Sequence, residues 1–299
     1  MDRLEAMRAF VAVAELRGFA PAARRLKISA SAATRLIASL EEHLGTRLLQ
    51  RTTRSVTLTD SGARYLERAR RILTDITEAE AAAHSDRLEP TGRFVVSAPS
   101  VFGRLHVAPL MCEFMGRYPD VVGELVLADR VLNLVEEGVD AAVRIGVLED
   151  SSYVARSVGA TRRVIVASPK YLARRRKLAS PEQISELDVI QFTALTPRPE
   201  WKFVKEGAEF SVAFAPRYIT NSADAAIAHA ERGGGLVMVL AYQVSEAILA
   251  GRLQTVLGDF ERPPLAIHVI YPTSRLLSAK VRAFIELIAK TCDWRFVDP

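Results

Sequence analysis

Apolar positions in the first ninety residues recur at helical spacing. Leu4, Met7, Phe10, Val11 and Ala14 share one side of a first helix. Pro21 suits the first turn of a second, short helix, whose apolar side is Ala22, Ala23 and Leu26. Lys27-Ile28-Ser29 interrupts the period for about one turn. Ser29 or Ser31 then offers a capping hydroxyl to a third helix, with Ala33, Leu36, Ile37, Leu40 and Leu44 on one face. Leu48 to Thr57 alternates weakly and reads as a two-stranded wing with Thr52-Thr53-Arg54 at its tip. Thr59 caps a long helix, with Asp60 favourable in its first turn. That helix runs to about Arg87, roughly 40 Å at 1.5 Å per residue. Its narrow stripe of Leu66, Ala69, Leu73, Ile76 and Ala83 wants a partner helix, and the second domain of the same chain would serve as well as another copy.

Leu88-Glu89-Pro90-Thr91-Gly92 ends the helix and reads as a linker. Beyond it, short β-rich runs alternate with helical stretches: 94–98 then 102–115, 124–127 then 131–138, and 141–145. A second set begins with 164–167 and 189–192 and continues through 218–220, a helix over 223–232, and 236–240. A strand at 266–271 and a helix at 279–289 close the chain. This is an α/β pattern, and 299 residues suit two or three domains.

The outward face of the third helix is Ser31, Thr34, Arg35 and Ala38, with Glu41 and Glu42 held back to its far end. Small side chains let a backbone approach a groove, and arginine can bond the O6/N7 edge of guanine. These residues fit a helix-turn-helix and a plain helical hairpin equally well. Charge adds to the picture. Between Arg17 and Arg71 stand twelve basic and four acidic residues, a surplus of eight, whereas the whole chain nets +5. A basic segment joined to a near-neutral one fits a DNA-binder with a separate second function; charge alone would also fit RNA or anionic lipid.

The block from Leu4 to Tyr65 resembles the DNA-binding domain of the LysR-type transcriptional regulators. The residues that carry the likeness are Met7-Arg8-Ala9-Phe10-Val11, Gly18-Phe19, Ala22-Ala23-Arg24-Arg25-Leu26, Ser29-Ala30-Ser31-Ala32, Arg35, Leu40-Glu41, Leu44-Gly45, Arg47-Leu48-Leu49, Arg51-Thr52-Thr53-Arg54, and Leu58-Thr59 with Gly62. The likeness continues through residues 136–146, 167–172 and 251–253 and spans nearly the whole chain. It implies a winged helix-turn-helix over 1–59, a dimerising linker helix over 60–88, a hinge at 89–92, and an effector-binding domain over 93–299. That domain would hold two Rossmann-like, periplasmic-binding-protein-like lobes, 93–162 with 268–299 and 163–267. Ser29, Ser31, Thr34 and Arg35, with Arg51, Thr53 and Arg54 of the wing, are the expected DNA contacts. Leu66, Ala69, Leu73 and Ile76 are the expected dimer contacts, pairing antiparallel with a second copy. The expected partners are duplex DNA bearing an imperfect inverted repeat, a small-molecule effector, and further copies of the chain as a dimer or a tetramer. RNA polymerase is a further candidate.

Ligands of open α/β sheets sit beyond the carboxyl ends of strands. Ser100, Val101 and Phe102 follow one strand end, Arg144 and Gly146 another, and Thr193 and Asn221 two more. Helix N-termini at Ser100 and Ser222 would favour a small organic anion, with Phe102 and Phe192 as an apolar wall. The plainer alternatives are helix capping for the two serines and an interlobe ion pair for Arg144. No histidine set has metal-ligand spacing, no nucleophile elbow occurs, and no cofactor is expected, so an enzyme is disfavoured. A periplasmic binding protein would need a signal peptide, and the charged N-terminus MDRLEAMRAF shows none, which points to the cytoplasm. Cys112, among Leu110, Met111 and Phe114, is expected as a buried thiol; with Cys292 it makes no disulfide framework, and a redox switch is the minor alternative.

Overall fold

The computed structural model describes residues 2–51, 56–84, 89–148, 153–175, 178–273 and 278–297. The chain divides into two compact units at Leu88/Glu89. In the first, α1 (Arg3–Leu16), α2 (Phe19–Leu26) and α3 (Ala30–Leu44) are followed by β1 (Leu49–Arg51), β2 (Val56–Leu58) and α4 (Asp60–His84). Phe10 is fully buried, with Ala6, Ala9, Ala22, Ile37 and Leu40 in the same core. Tyr65 of α4 meets the Phe10 ring edge-on at 5.4 Å. Ser29 caps α3 by accepting the Ala32 N–H at 3.1 Å, and Thr59 caps α4 by accepting the Gly62 N–H at 2.9 Å. Gly62 is required by space, because a Cβ there would stand 2.0 Å from the Leu48 carbonyl oxygen. Strands β1 and β2 pair antiparallel, Leu49 opposite Leu58. One oxygen of Glu41, on α3, accepts the N–H groups of Leu48 and Leu49 at 2.8 and 3.0 Å, clamping α3 to the root of the wing.

The second unit holds two large sheets and a two-stranded hairpin. Its first part runs β3 (Gly92–Ala98), α5 (Ser100–Phe102), a π-helical turn (Gly103–Val107), α6 (Ala108–Arg117), β4 (Val121–Leu127), α7 (Leu134–Glu137), β5 (Ala141–Ile145) and β6 (Tyr153–Thr161). Next come β7 (Arg163–Ala167), α8 (Pro169–Leu172), β8 (Val189–Phe192), β9 (Glu200–Lys205), β10 (Ala208–Ala213), β11 (Pro216–Thr220), α9 (Ala223–Glu231), β12 (Leu236–Leu240), α10 (Ala241–Leu249) and β13 (Gln254–Val256). The chain ends with β14 (Leu265–Pro272), α11 (Ala279–Thr291) and β15 (Trp294–Phe296). The first lobe's sheet has the order β15-β6-β14-β5-β3-β4 and the second's β11-β8-β12-β7-β13. The chain crosses between sheets at Thr161–Arg163 and returns between Val256 and Leu265. Alternation along the strands splits the cores. Phe94, Val96, Val143, Val164, Ile190 and Val237 face one cluster that runs through both lobes. Val95, Ala142 and Ile270 face a smaller cluster on the other side of the first sheet, and Ile165, Val189 and Met238 a third under the second.

Several expectations are corrected. The helix expected over 131–138 is a single turn at Leu134–Glu137, capped by Asn133; Leu132 and Leu134 plug the smaller core while Val131 points outward. Cys112 is exposed, not buried, because α6 turns Leu110, Met111 and Phe114 inward instead. Leu44 is also exposed. The end of the linker helix past His84 lies outside the described residues. The β9–β10 hairpin was not foreseen, and neither were β6 and α10.

His106 sits in the π-helical turn, its ring packed against those of Phe102, Tyr242 and Phe296. Burial holds its pKa below the ordinary value of 6.5, and its Nε2 is buried without a partner among the described residues. The native state therefore prefers the neutral ring. Because the folded pKa is depressed, its contribution is present above about 6.5 and is lost as pH falls through the lower folded value. Thermal melts should show the second unit losing stability from pH 7 to pH 5, and His106→Phe should flatten that slope. Removing the helix–wing clamp, Glu41→Ala, should lower stability of the first unit by about 1–3 kcal/mol in denaturant titrations, with Glu41→Gln costing less.

Candidate nucleic-acid interface and effector cleft

The first unit presents α3 to solvent through Ser31, Arg35 and Ala38. The polar groups on that face are not equally available. Ser29 caps the helix and shares a 3.0 Å hydrogen bond with Ser31. The Thr34 hydroxyl donates to the Ala30 carbonyl at 2.9 Å. Arg35 is exposed and makes no ion pair or side-chain hydrogen bond among the described residues. Elsewhere on the unit, two basic side chains are already paired. Glu15 holds Arg25 at 2.9 Å and Arg70 at 3.2 Å, and Glu67 holds Arg70 as well. So the basic surplus seen in the sequence does not all face outward as charge for a phosphate. Arg51 lies on β1, directly opposite Val56. Thr53 and Arg54 lie outside the described residues.

Along α4 the expected dimer stripe divides. Leu66 and Ala69 are buried in their own unit's core. Leu73 also packs against that core. Ile76 is half-buried and Ile72 is exposed. Leu66 and Ala69 thus pack within their own unit. A helix that must first cover Phe10 and its neighbours has only its later turns left for a partner.

In the second unit, Ser100 opens a helix that continues through the π turn to Arg117. Its N–H is occupied, donating to the Asp129 carboxylate at 2.9 Å. A carboxylate at a helix N-terminus is what the dipole and the unpaired N–H groups favour, and here the chain supplies its own. Arg144, on the opposite face of the sheet from Val143, reaches the buried Ser97 hydroxyl at 3.4 Å and the Val143 carbonyl at 3.1 Å. Burial lowers its pKa while Glu137 and Asp129 act to raise it. Directly across the sheet, His268 has a buried Nδ1 with no partner among the described residues. Among the described residues Arg144 makes no interlobe ion pair; Arg104 and Asp224 form one at 3.1 Å, and both are exposed, so it adds little.

Val101 and Phe102 are core residues. Phe102 meets Tyr242 at 5.1 Å and Trp294 at 4.9 Å, tying the two lobes together, and Phe192 is buried in the same core. None of the three forms the apolar cleft wall expected of Phe102 and Phe192. Gly146 leaves β5 at a φ of 114°, a conformation that favours glycine, and donates its N–H to Ala266. In the second lobe Thr193 donates to the Thr220 carbonyl, Ser222 caps α9, and Asn221 is exposed between them. The structure thus gives two separate groups, Ser100 with Asp129 and Arg144 in one lobe, and Thr193 with Thr220 and Asn221 in the other. Asp129 was missed, although the rule that pointed to Ser100, a position just past a strand end, applies equally to it.

Residues 4–63 match the bacterial regulatory helix-turn-helix protein, lysR family, and residues 87–293 match the LysR substrate binding domain. The chain belongs to the LysR family of transcriptional regulators. It is 33% identical to an HTH-type transcriptional regulator of Haemophilus influenzae over 94% of this chain and 98% of that one. It is also 33% identical to an HTH-type transcriptional repressor of Pseudomonas aeruginosa, over 96% and 92%. Among solved structures it is similar to CrgA, a LysR-type transcriptional regulator from Neisseria meningitidis, with 30% identity, a TM-score of 0.61, and coverage of 97% of this chain and 99% of that one. The fold is therefore an N-terminal helix-turn-helix joined to a two-lobed α/β effector domain, and the chain is a DNA-binding transcriptional regulator. Such regulators are not enzymes as a family. Among the described residues no acidic, histidine or cysteine cluster could hold a metal ion, and no helix is long and apolar enough to cross a membrane.

The hydrogen-bond pattern separates Arg35 from its neighbours. Arg35→Ala should weaken binding to the operator by about 1–3 kcal/mol and blur selectivity at the contacted base pair. Thr34→Val should cost much less, because that hydroxyl already bonds the helix backbone. Titrations of operator and mutated operator by fluorescence anisotropy would check both.

Proposed function

We propose that this regulator reads its operator through Arg35 at the outward face of α3, with Arg51, Thr53 and Arg54 of the wing holding the phosphate backbone or minor groove. The observation that carries the reading is the availability of Arg35: it is an exposed cation on that face with no competing partner among the described residues, while Ser29, Ser31 and Thr34 spend their hydroxyls locally. Ser31 and Ala38 then matter for closeness, by admitting the helix to the groove. The domain boundaries follow the reading, with 1–59 on DNA, 60–88 joining two copies, 89–92 as hinge and 93–299 sensing. The protein acts in the cytoplasm as a homodimer or a tetramer of two dimers, on an imperfect inverted repeat, and RNA polymerase is the partner such a regulator would meet at a promoter.

The controlling signal in this reading is a small organic anion held between the lobes by Arg144, Gly146, Thr193 and Asn221. Arg144 supports it as a half-buried guanidinium whose bonds go to a hydroxyl and a carbonyl. The role of Ser100 changes, because Asp129 stands at its N–H; a ligand there would displace that carboxylate or avoid it. The anion acts only through different affinity for the two lobe arrangements. Calorimetry with the metabolites of neighbouring operons, on wild type and Arg144→Gln, tests this: the variant should bind at least about tenfold more weakly, and equal affinity would remove Arg144 from the site.

For the dimer, Ile72 and Ile76 supply the apolar surface that Leu66 and Ala69 do not. Ile72→Glu should shift the protein toward monomer in sedimentation velocity while its circular dichroism stays native, because placing a charge in an apolar contact is costly. Leu73→Glu should be more damaging to folding, as Leu73 also packs on the core of its own unit.

A further inference from the structure

The second lobe contains a cleft of about 260 Å³ on the side of its sheet covered by the β9–β10 hairpin. Met238 and Leu195 give it an apolar part. Arg163, Arg198, Lys202 and Arg262 line the rest, against a single acidic lining residue, Glu200. Arg262 is engaged by Glu209 at 2.9 Å. Arg163, Arg198 and Lys202 make no ion pair and no side-chain hydrogen bond among the described residues.

Arg163 is the informative one. It is half-buried, and both burial and the neighbouring charge of Arg262 press its pKa down, with Glu209 the only compensating carboxylate. Its sequence neighbour Arg162 is also half-buried but has the Glu261 carboxylate at 2.8 Å. A guanidinium taken out of water ordinarily meets an anion. Glu261 is spent on Arg162 and Glu209 on Arg262, so Glu200 is the one carboxylate that lines the cleft against its four cations.

We propose that this cleft is an anion site of the second lobe, taking a small ligand with at least two negative charges carried on carboxylate or phosphoryl groups. Guanidinium forks bind either group through two parallel hydrogen bonds, and Lys202 adds a point charge. The volume lies just below the roughly 300 Å³ at which pockets for drug-sized molecules begin, so the ligand is metabolite-sized. The site is separate from Ser100 and Arg144, which belong to the first lobe, and it stands whether or not the interlobe reading holds. Its position gives it a regulatory consequence. Arg163 follows the first crossing between lobes, and Arg262 lies in the return crossing just before β14. An anion that gathers both would bind one lobe arrangement better than another and shift the equilibrium by that difference.

Isothermal titration of the full-length protein with citrate, and separately with inorganic phosphate, tests it at fixed ionic strength in sodium chloride. One saturable site per chain is expected for at least one of them, and the stronger of the two arms distinguishes carboxylate from phosphoryl ligands. The R198A/K202A double variant alters exposed, unpaired side chains and should keep its native melt while losing at least about tenfold in affinity. Arg163→Gln should lose at least as much, and Ser100→Ala should bind as wild type does. Absence of saturable binding of both anions would overturn the proposal, as would unchanged affinity in R198A/K202A or loss of binding in Ser100→Ala alone.

Discussion

The burial of Phe10 sets what the DNA-binding unit can offer to its partner. That ring is closed in by α2, α3 and α4, so α3 must turn Ala33, Ile37 and Leu40 inward. A helix with 3.6 residues per turn then has little choice about its other side. Ser31, Arg35 and Ala38 face out because Ile37 and Leu40 face in. The same ring draws Tyr65, Leu66 and Ala69 of α4 onto the core, which spends the first turns of the linker helix inside the unit. The outward face of α3 and the later turns of α4 are thus what remains after one hydrophobic core has been satisfied.

The second unit obeys a comparable rule with charge. Burial of Phe102 against Tyr242 and Trp294 ties the lobes by an apolar contact. The polar groups at the strand ends largely satisfy one another: Asp129 at the Ser100 N–H, Thr193 and Thr220, Arg144 and Ser97. Where such pairing is complete, a ligand must compete with it; where it is incomplete, as at Arg163, a ligand can complete it. Hydrogen bonds left unmade in a half-buried site cost more than made ones return, so binding chemistry is best sought at the unpaired groups.

Much of this was legible in the residue pattern. The three N-terminal helices, the wing, the break near residue 88 and the alternation of strands and helices all follow from periodicity and capping, with Thr59 in the capping role read for it and Ser29 taking the one left open between it and Ser31. Strands such as 236–240 were legible because both faces are buried and the run is continuously apolar. Pairing was not legible. Nothing in the sequence says that Asp129 will reach Ser100, that Glu15 will take Arg25 and Arg70, or that Leu66 and Ala69 will meet α1 before any second copy. Cys112 failed for a related reason: neighbours in sequence predict burial only when helical phase places them on the same side, and Leu110, Met111 and Phe114 share a face that Cys112 does not. The cationic cleft was hidden most completely, since its residues come from four separate segments brought together only by the fold.

The account rests on the claim that α3 reads base edges while the remaining basic side chains hold phosphates. Selection of duplexes from a random pool by the full-length protein, followed by affinity measurements across a salt series, tests it directly. The account predicts enrichment of an imperfect inverted repeat whose half-sites are spaced by about one helical turn or a multiple of it, with affinity for selected and unselected duplexes falling along parallel slopes as salt rises. A pool that emerges without sequence enrichment, or binding that does not respond to salt, would contradict it.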